Sequence, residues 1–211
     1  MVMVKICGIT RLEDALAALD AGADLLGFNF YPGSRRYISP SSCYAITDEL
    51  ARRNESVGLV GVFVNESAQN ILKVLDDCGL TLAQCHGDES VADLAMLKGR
   101  AYKAIRPRNR NELDELLHQF ASTPCTPQLL VDTYHNATYG GSGKTGNWQL
   151  ASLAAQQYPI FLAGGLNAEN VASAVQQVRP WGVDVASGVE NRAGIKDITK
   201  MKLFIKNAKG C

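Results

Sequence analysis

The chain has 211 residues, with 21 Lys or Arg against 21 Asp or Glu, so its formal net charge at pH 7 is zero. A composition of 46% hydrophobic and 20% charged residues excludes a disordered chain, and the balanced charge excludes an overall cationic pull toward nucleic acid or anionic lipid. No apolar run approaches the ~20 residues of a membrane-spanning helix, and the opening MVMVKICGIT lacks a basic-then-apolar signal segment, so a cytoplasmic protein with no membrane and no nucleic-acid partner is predicted.

Along the chain, short apolar or β-branched runs alternate with helical patterns. The first strand is predicted over residues 2–7. A T-x-x-E pair, Thr10 and Glu13, then reads as a capping box for LEDALAALD, with Gly22 at the left-handed exit. Residues 24–30 form the second strand, and Ser39-Pro40 supplies a cap and a first-turn proline for SSCYAITDELARR. The third strand covers 57–64; Asn65 precedes ESAQNILKVLDD and Gly79 follows it. The fourth covers 82–86, with Ser90 ahead of VADLAMLK and Gly99 beyond. Strands over 101–106 and 129–133 are followed by NRNELDELLHQF and NWQLASLAAQQY. A strand over 160–164 leads to Asn167, a candidate cap for AENVASAVQQV, and one over 182–187 leads to ITKMKLFIKNAK, ended by Gly210.

Runs such as VGLVGVFV and IFLAGG are apolar nearly throughout, as parallel strands buried on both faces must be. Eight strand–helix repeats have two main solutions, a closed (β/α)8 TIM barrel or an open doubly wound sheet. An open sheet favours a glycine-rich turn after its first strand, whereas CGITRLED carries one glycine. With no linker, low-complexity tract or charge block in sight, an α/β single-domain (β/α)8 barrel spanning residues 1–211 is predicted. The six cysteines (Cys7, Cys43, Cys78, Cys85, Cys125 and Cys211) contain no CxxC pair, which supports neither a disulfide framework nor a structural zinc site.

In such a barrel the active site lies at the C-terminal ends of the strands. The polar residues there are Cys7, Asn29, Asn65, Gln84 with His86, Arg106, Asp132, Gly164-Gly165 and Ser187-Gly188. Period 2 puts Cys7 on the face of Lys5, and a nearby cation lowers a thiol pKa. A thiolate base or nucleophile and a small buried cysteine beside a lysine paired elsewhere both fit this placement. Asp132 has no helix to cap; as a buried lumen carboxyl it would stay protonated and suit a general acid, or it salt-bridges a lysine. Asp184 either holds a barrel lysine in place or touches a ligand. The glycines after strands seven and eight sit where such barrels bind phosphate through backbone N–H groups. Residues 139–146, YGGSGKTG, miss the P-loop pattern at Thr138 and read as a glycine-rich lid. Arg35 and Arg36 offer planar donors for a carboxylate or phosphate. Trp148 and Trp181 read as packing residues. Lys5 and Lys103 are also candidates for the lysines that a phosphosugar synthase would need at strand ends. A barrel that only binds a phosphorylated ligand is a further alternative.

In order through nearly the whole chain, KICGIT, GFNFYPGSRRYISP, VGVFVN, QCHGDE, VDTY, GGSGKTGNW, AGGLNAENV and VDVASGVE resemble the motifs of the phosphoribosylanthranilate isomerase family of tryptophan biosynthesis. The resemblance implies an Amadori rearrangement of N-(5-phosphoribosyl)anthranilate to 1-(2-carboxyphenylamino)-1-deoxyribulose 5-phosphate. It implies no metal and no cofactor, with the small-molecule phosphoribosyl substrate as the partner; protein partners are not legible. By position it makes Cys7 the general base, Asp132 the general acid and Arg36 the partner of the anthranilate carboxylate. It also matches Gly164, Gly165, Ser187 and Gly188 to the phosphate loops and Asp184 to an aspartate near the substrate amine. Two departures stand out: Cys85 where the family has leucine, and Gly146-Asn147 in place of an aromatic–acid pair before Trp148.

Overall fold

The computed structural model describes residues 1–121, 125–133 and 148–210. The glycine-rich segment 139–146 and the capping position Asn147 lie outside the described residues. The parallel strands are β1 (Met3–Cys7), β2 (Leu25–Asn29), β3 (Gly58–Phe63), β4 (Leu82–Cys85), β5 (Ala101–Ile105), β6 (Leu129–Asp132), β7 (Ile160–Ala163) and β8 (Gly182–Val185). They close in chain order into a barrel, β1 pairing with both β2 and β8. Each strand falls inside the stretch predicted for it. The helices are α1 (Leu12–Asp20), α2 (Pro40–Arg52), α3 (Ala68–Asp77), α4 (Val91–Met96), α5 (Arg110–Phe120), α6 (Trp148–Ala155), α7 (Val171–Val178) and α8 (Ile198–Lys209).

Burial on both strand faces explains the apolar runs. Outward residues such as Ile6, Leu26, Cys85 and Ile105 pack under the helices. Inward residues, among them Leu25, Val60, Tyr102, Leu130 and Phe161, fill the lumen. Phe161 lies 6.0 Å from the Tyr102 ring and meets Trp181 edge-on at 5.0 Å. Burying each such ring is worth about 1.5–3 kcal/mol, so the lower barrel is a packed plug and the site is confined to its upper mouth. A Cβ on Gly182 would come within 2.4 Å of Phe161; the missing side chain on β8 is what admits that ring. Cys85 is fully buried on the outward face, where the leucine-to-cysteine difference concerns packing rather than chemistry.

Helix starts follow the predicted signals with two corrections, at Asn65 and at Thr10. Ser39 accepts from the Ser42 N–H with Pro40 at the first position, and Ser90 forms a full capping box with Asp93. Ser67, rather than Asn65, caps α3; Asn65 instead takes φ +53° and ties the β3 loop to the β4 loop, its side-chain oxygen accepting from the Asp88 N–H. Asn167 accepts from the Glu169 and Asn170 N–H groups just ahead of α7. Thr10 caps nothing: Arg11 occupies the N-cap of α1 with no side-chain bond, and the Thr10 hydroxyl donates to the Gly194 carbonyl. Gly194 belongs to a two-stranded ribbon, β9 (Glu190–Arg192) and β10 (Ile195–Lys196), between β8 and α8. That ribbon was not anticipated. Residues 187–189, taken as the end of the last strand and its loop, form instead a single 3-10 turn.

Candidate active site

A cavity of about 850 Å³ opens at the C-terminal ends of the strands. Cys7 from β1, Arg36 from the loop after β2, Asp132 from β6 and Asp184 from β8 all line it, as do Gly164, Gly165 and Ser187. Gln84, His86 and Arg106 complete its polar wall. Gly188 has a different task. A Cβ there would sit 1.9 Å from the Leu166 carbonyl oxygen, so its bareness lets the two glycine loops press together. Gly164 and Gly165 take φ values of +97° and +69°, a region open to glycine at little cost.

Cys7 and Lys5 share the lumen as period 2 requires. Lys5 is fully buried, and its ammonium reaches Asp184 Oδ1 at 2.9 Å, Gln84 Oε1 at 2.7 Å and Cys7 Sγ at 3.5 Å. Lys5 and Asp184 are register partners on β1 and β8, so their side chains stand side by side and pair. Burial alone would lower the lysine, but Asp184 and its other neighbours outweigh it and hold it charged, above its ordinary pKa. The expectation that this cation lowers the Cys7 thiol needs correcting. Burial pushes the thiol up, Lys5 and Lys196 pull it down, Asp184 adds to the rise, and the net is upward. The lysine's charge is already claimed by a carboxylate. Asp184→Asn is therefore expected to lower the Cys7 pKa and speed its alkylation at neutral pH, by ~10-fold for each unit of fall. Peptide-resolved mass spectrometry would read the rate, and an unchanged rate would show that Asp184 does not hold the charge. A Cβ on Gly27 would lie 2.8 Å from Cys7 Sγ and 3.1 Å from Lys5 Cε, so this glycine on β2 makes room for both.

Arg36 is held from behind. Its Nε and Nη2 each donate to Glu190 at 2.7 Å. Glu190 also receives Lys196 Nζ at 3.2 Å, and the same ammonium donates to the Cys7 and Ala186 carbonyls. Burial would raise the Glu190 carboxyl, but Arg36 and Lys196 hold it below the usual carboxylate value. Gly8, at φ +76°, passes so close that a Cβ would be 2.6 Å from Arg36 Cδ. Glu190 and Lys196 were absent from the sequence-derived candidates. Both lie in the ribbon, more than 150 positions from Arg36 and Cys7; Glu190 ends the VDVASGVE motif, but nothing in that motif shows which residue it pairs with.

Asp132 sits at the mouth rather than deep in the lumen. Its Oδ2 is 3.3 Å from Arg106 Nε and 3.6 Å from His86 Nε2. Thr133, next in the chain, donates its hydroxyl to the Ala163 carbonyl and clamps the end of β6 to β7. Lys103, a lysine candidate from sequence, points away from the cavity. Its ammonium pairs with Glu89 at 2.8 Å and caps the Gly87 carbonyl under the helices. His135 and the glycine-rich segment with Lys144 lie outside the described residues.

A family model described as N-(5'phosphoribosyl)anthranilate (PRA) isomerase matches residues 4–207. The chain belongs to this family. A relative named N-(5'-phosphoribosyl)anthranilate isomerase from Pelobacter propionicus is 44% identical over 209 residues, covering 99% of this chain and 96% of its own. The isomerase of Thermotoga maritima is 45% identical with both chains fully covered. Its crystal structure superposes with a TM-score of 0.89, again over the whole of both chains. A family structure in complex with reduced 1-(o-carboxyphenylamino)-1-deoxyribulose 5-phosphate superposes with a TM-score of 0.85 at 41% identity, with both chains fully covered.

Proposed function

We propose that this chain catalyses the Amadori rearrangement of N-(5-phosphoribosyl)anthranilate, with Asp132 as general acid and Cys7 as general base. The observation that carries the reading is one cavity lined by a thiol, a carboxyl, an arginine fork and two glycine loops. β1 and β6 are separated by two strands in one direction round the barrel and four in the other, so the two groups approach a bound sugar from different sides. Asp132 gives its proton to the ribose ring oxygen, which opens the furanose to a Schiff base. Cys7 takes the C2 proton, and the enolamine tautomerises to the ketose. As the ring oxygen leaves C1, the anilino nitrogen's lone pair forms the C=N bond; C1 later regains a proton as the C2 hydroxyl loses one, so no oxidant or reductant is consumed.

The neighbours divide the remaining work. Gly164, Gly165 and Ser187 receive the phosphate, with Gly188 letting the loops close up. Asp184 accepts from the substrate's anilino N–H. That bond draws its charge away from Lys5, which at 3.5 Å from Sγ is then released to stabilise the Cys7 thiolate. Of the five N–H donors of Arg36, Glu190 takes one on Nε and one on Nη2, and the substrate carboxylate meets the Nη1 edge. Among the described residues no helix is long and apolar enough to cross a membrane.

The test is consumption of freshly generated phosphoribosylanthranilate, followed by the decay of its fluorescence. Arg36→Met should raise KM by ~10-fold or more, the value of a charge-assisted hydrogen bond of about 1.5–3 kcal/mol, with a smaller effect on kcat. An unaltered KM and kcat/KM would reject the carboxylate role. No decay with the wild-type chain would reject the isomerase itself.

A further inference from the structure

The polar wall between the two catalytic groups contains a chain of donors whose direction can be worked out atom by atom. Lys5 is fully buried, and an ammonium donates only. The Gln84 atom 2.7 Å from it must therefore be the amide oxygen. The Tyr102 hydroxyl donates to that same oxygen at 3.0 Å. With the oxygen so fixed, the other end of the amide is its NH2 group, which also only donates, and it lies 2.7 Å from His86 Nδ1. Nδ1 must then carry a lone pair. The single ring proton is left on Nε2, the atom that faces Asp132 Oδ2 at 3.6 Å.

We propose that Gln84 is a positioning residue which locks His86 in its neutral Nε2–H tautomer, so that Asp132 is met by an uncharged N–H donor. This rests on the reading of Asp132 as the general acid. The lock works by exclusion. Protonating Nδ1 would set two N–H groups against each other at 2.7 Å in a wall where Gln84 is 2% exposed. Turning the amide round to relieve them would aim its NH2 at the Lys5 ammonium and at the Tyr102 hydroxyl. Each alternative sacrifices a buried hydrogen bond and leaves two donors in contact. The consequence falls on Asp132. Arg106 already places one cation 3.3 Å from its carboxylate, and a second, an imidazolium, would favour the ionised form of a group that has to hold a proton. A neutral histidine supplies orientation without that charge. The 3.6 Å separation is longer than a hydrogen bond, so the N–H acts on Asp132 as a directed dipole rather than as a full bond.

The lock is read directly by nitrogen NMR of the full chain labelled in its three histidines, with the His86 signals assigned from a His86→Asn sample. At neutral pH the wild type should show an unprotonated Nδ1 and a protonated Nε2. Gln84→Glu replaces the donor by an acceptor, so Nδ1 should gain a proton, giving the imidazolium or the opposite tautomer. kcat should then fall by ~10-fold for each unit by which the added charge lowers the Asp132 pKa, with KM little changed. A wild-type His86 carrying a proton on Nδ1 at neutral pH would overturn the proposal, and so would an unchanged His86 signature in Gln84→Glu. The wild-type spectrum decides even where the variant fails to fold. Because the spectrum involves no turnover, it is independent of the acid assignment, which Asp132→Asn tests separately.

Discussion

Asp132→Asn and Cys7→Ser are each expected to lower kcat by ~10²–10⁴-fold, the usual contribution of one positioned acid or base, while the barrel remains folded. Asparagine keeps the shape of Asp132 and its contacts with Arg106 Nε and His86 Nε2, but its amide has no acidic proton for the ring oxygen. Serine keeps the size of Cys7, which matters because a Cβ on Gly27 would already be 2.8 Å from Sγ; a larger residue would test packing instead of chemistry. A serine hydroxyl is a far weaker acid than a thiol, so beside Lys5 it would not supply the anion that the proposed base requires. Fluorescence decay under saturating substrate measures the loss, and urea unfolding checks that stability is unchanged. Turnover at the wild-type level in either variant would remove that residue from the mechanism. If the pair acts on one substrate as proposed, the double variant should lose less than the product of the two.

The second large effect is on stability. Glu190→Ala should cost about 3 kcal/mol, the lower end for removing one partner of a buried ion pair. It strands the fully buried Lys196 ammonium and releases the Arg36 fork. Urea unfolding at pH 7 gives the size, and a rise in KM reports the loosened Arg36. The pH dependence has a definite sign. The folded-state pKa of Glu190 lies below its ordinary value of 4.5, so its stabilisation is fully present above 4.5 and is lost as pH falls through the folded value. The gap between wild type and Glu190→Ala should accordingly shrink as the pH is taken below 4.5. A gap that held its size through that range would mean that the carboxylate charge is not what stabilises the site.

Much of this molecule was legible one residue at a time. Near-continuous apolar runs marked strands such as β3 and β7, because a strand buried on both faces has no room for alternation. Ser39 and Ser90 announced their helices, since a cap acts within three residues of itself. Period 2 placed Cys7 beside Lys5, and the rule that barrel sites gather at strand ends put Asp132 at the cavity that it lines. The same parity, counted back from Arg106 at the mouth, turns Lys103 outward, where it is found beside Glu89.

What only the tertiary structure decided are the contacts between positions remote in the chain. Thr10 reads locally as a cap but gives its hydroxyl to Gly194, 184 residues away. Glu190 meets Arg36 across 154 residues, and nothing near either one in the chain announces the other. Lys5 beside Cys7 suggests an activated thiol until Asp184, 179 residues on, is found holding the same ammonium. Local pattern reports backbone preference and which side of an element is buried. The charge a buried group carries depends on every partner within a few ångströms, and those partners are chosen only when the barrel closes.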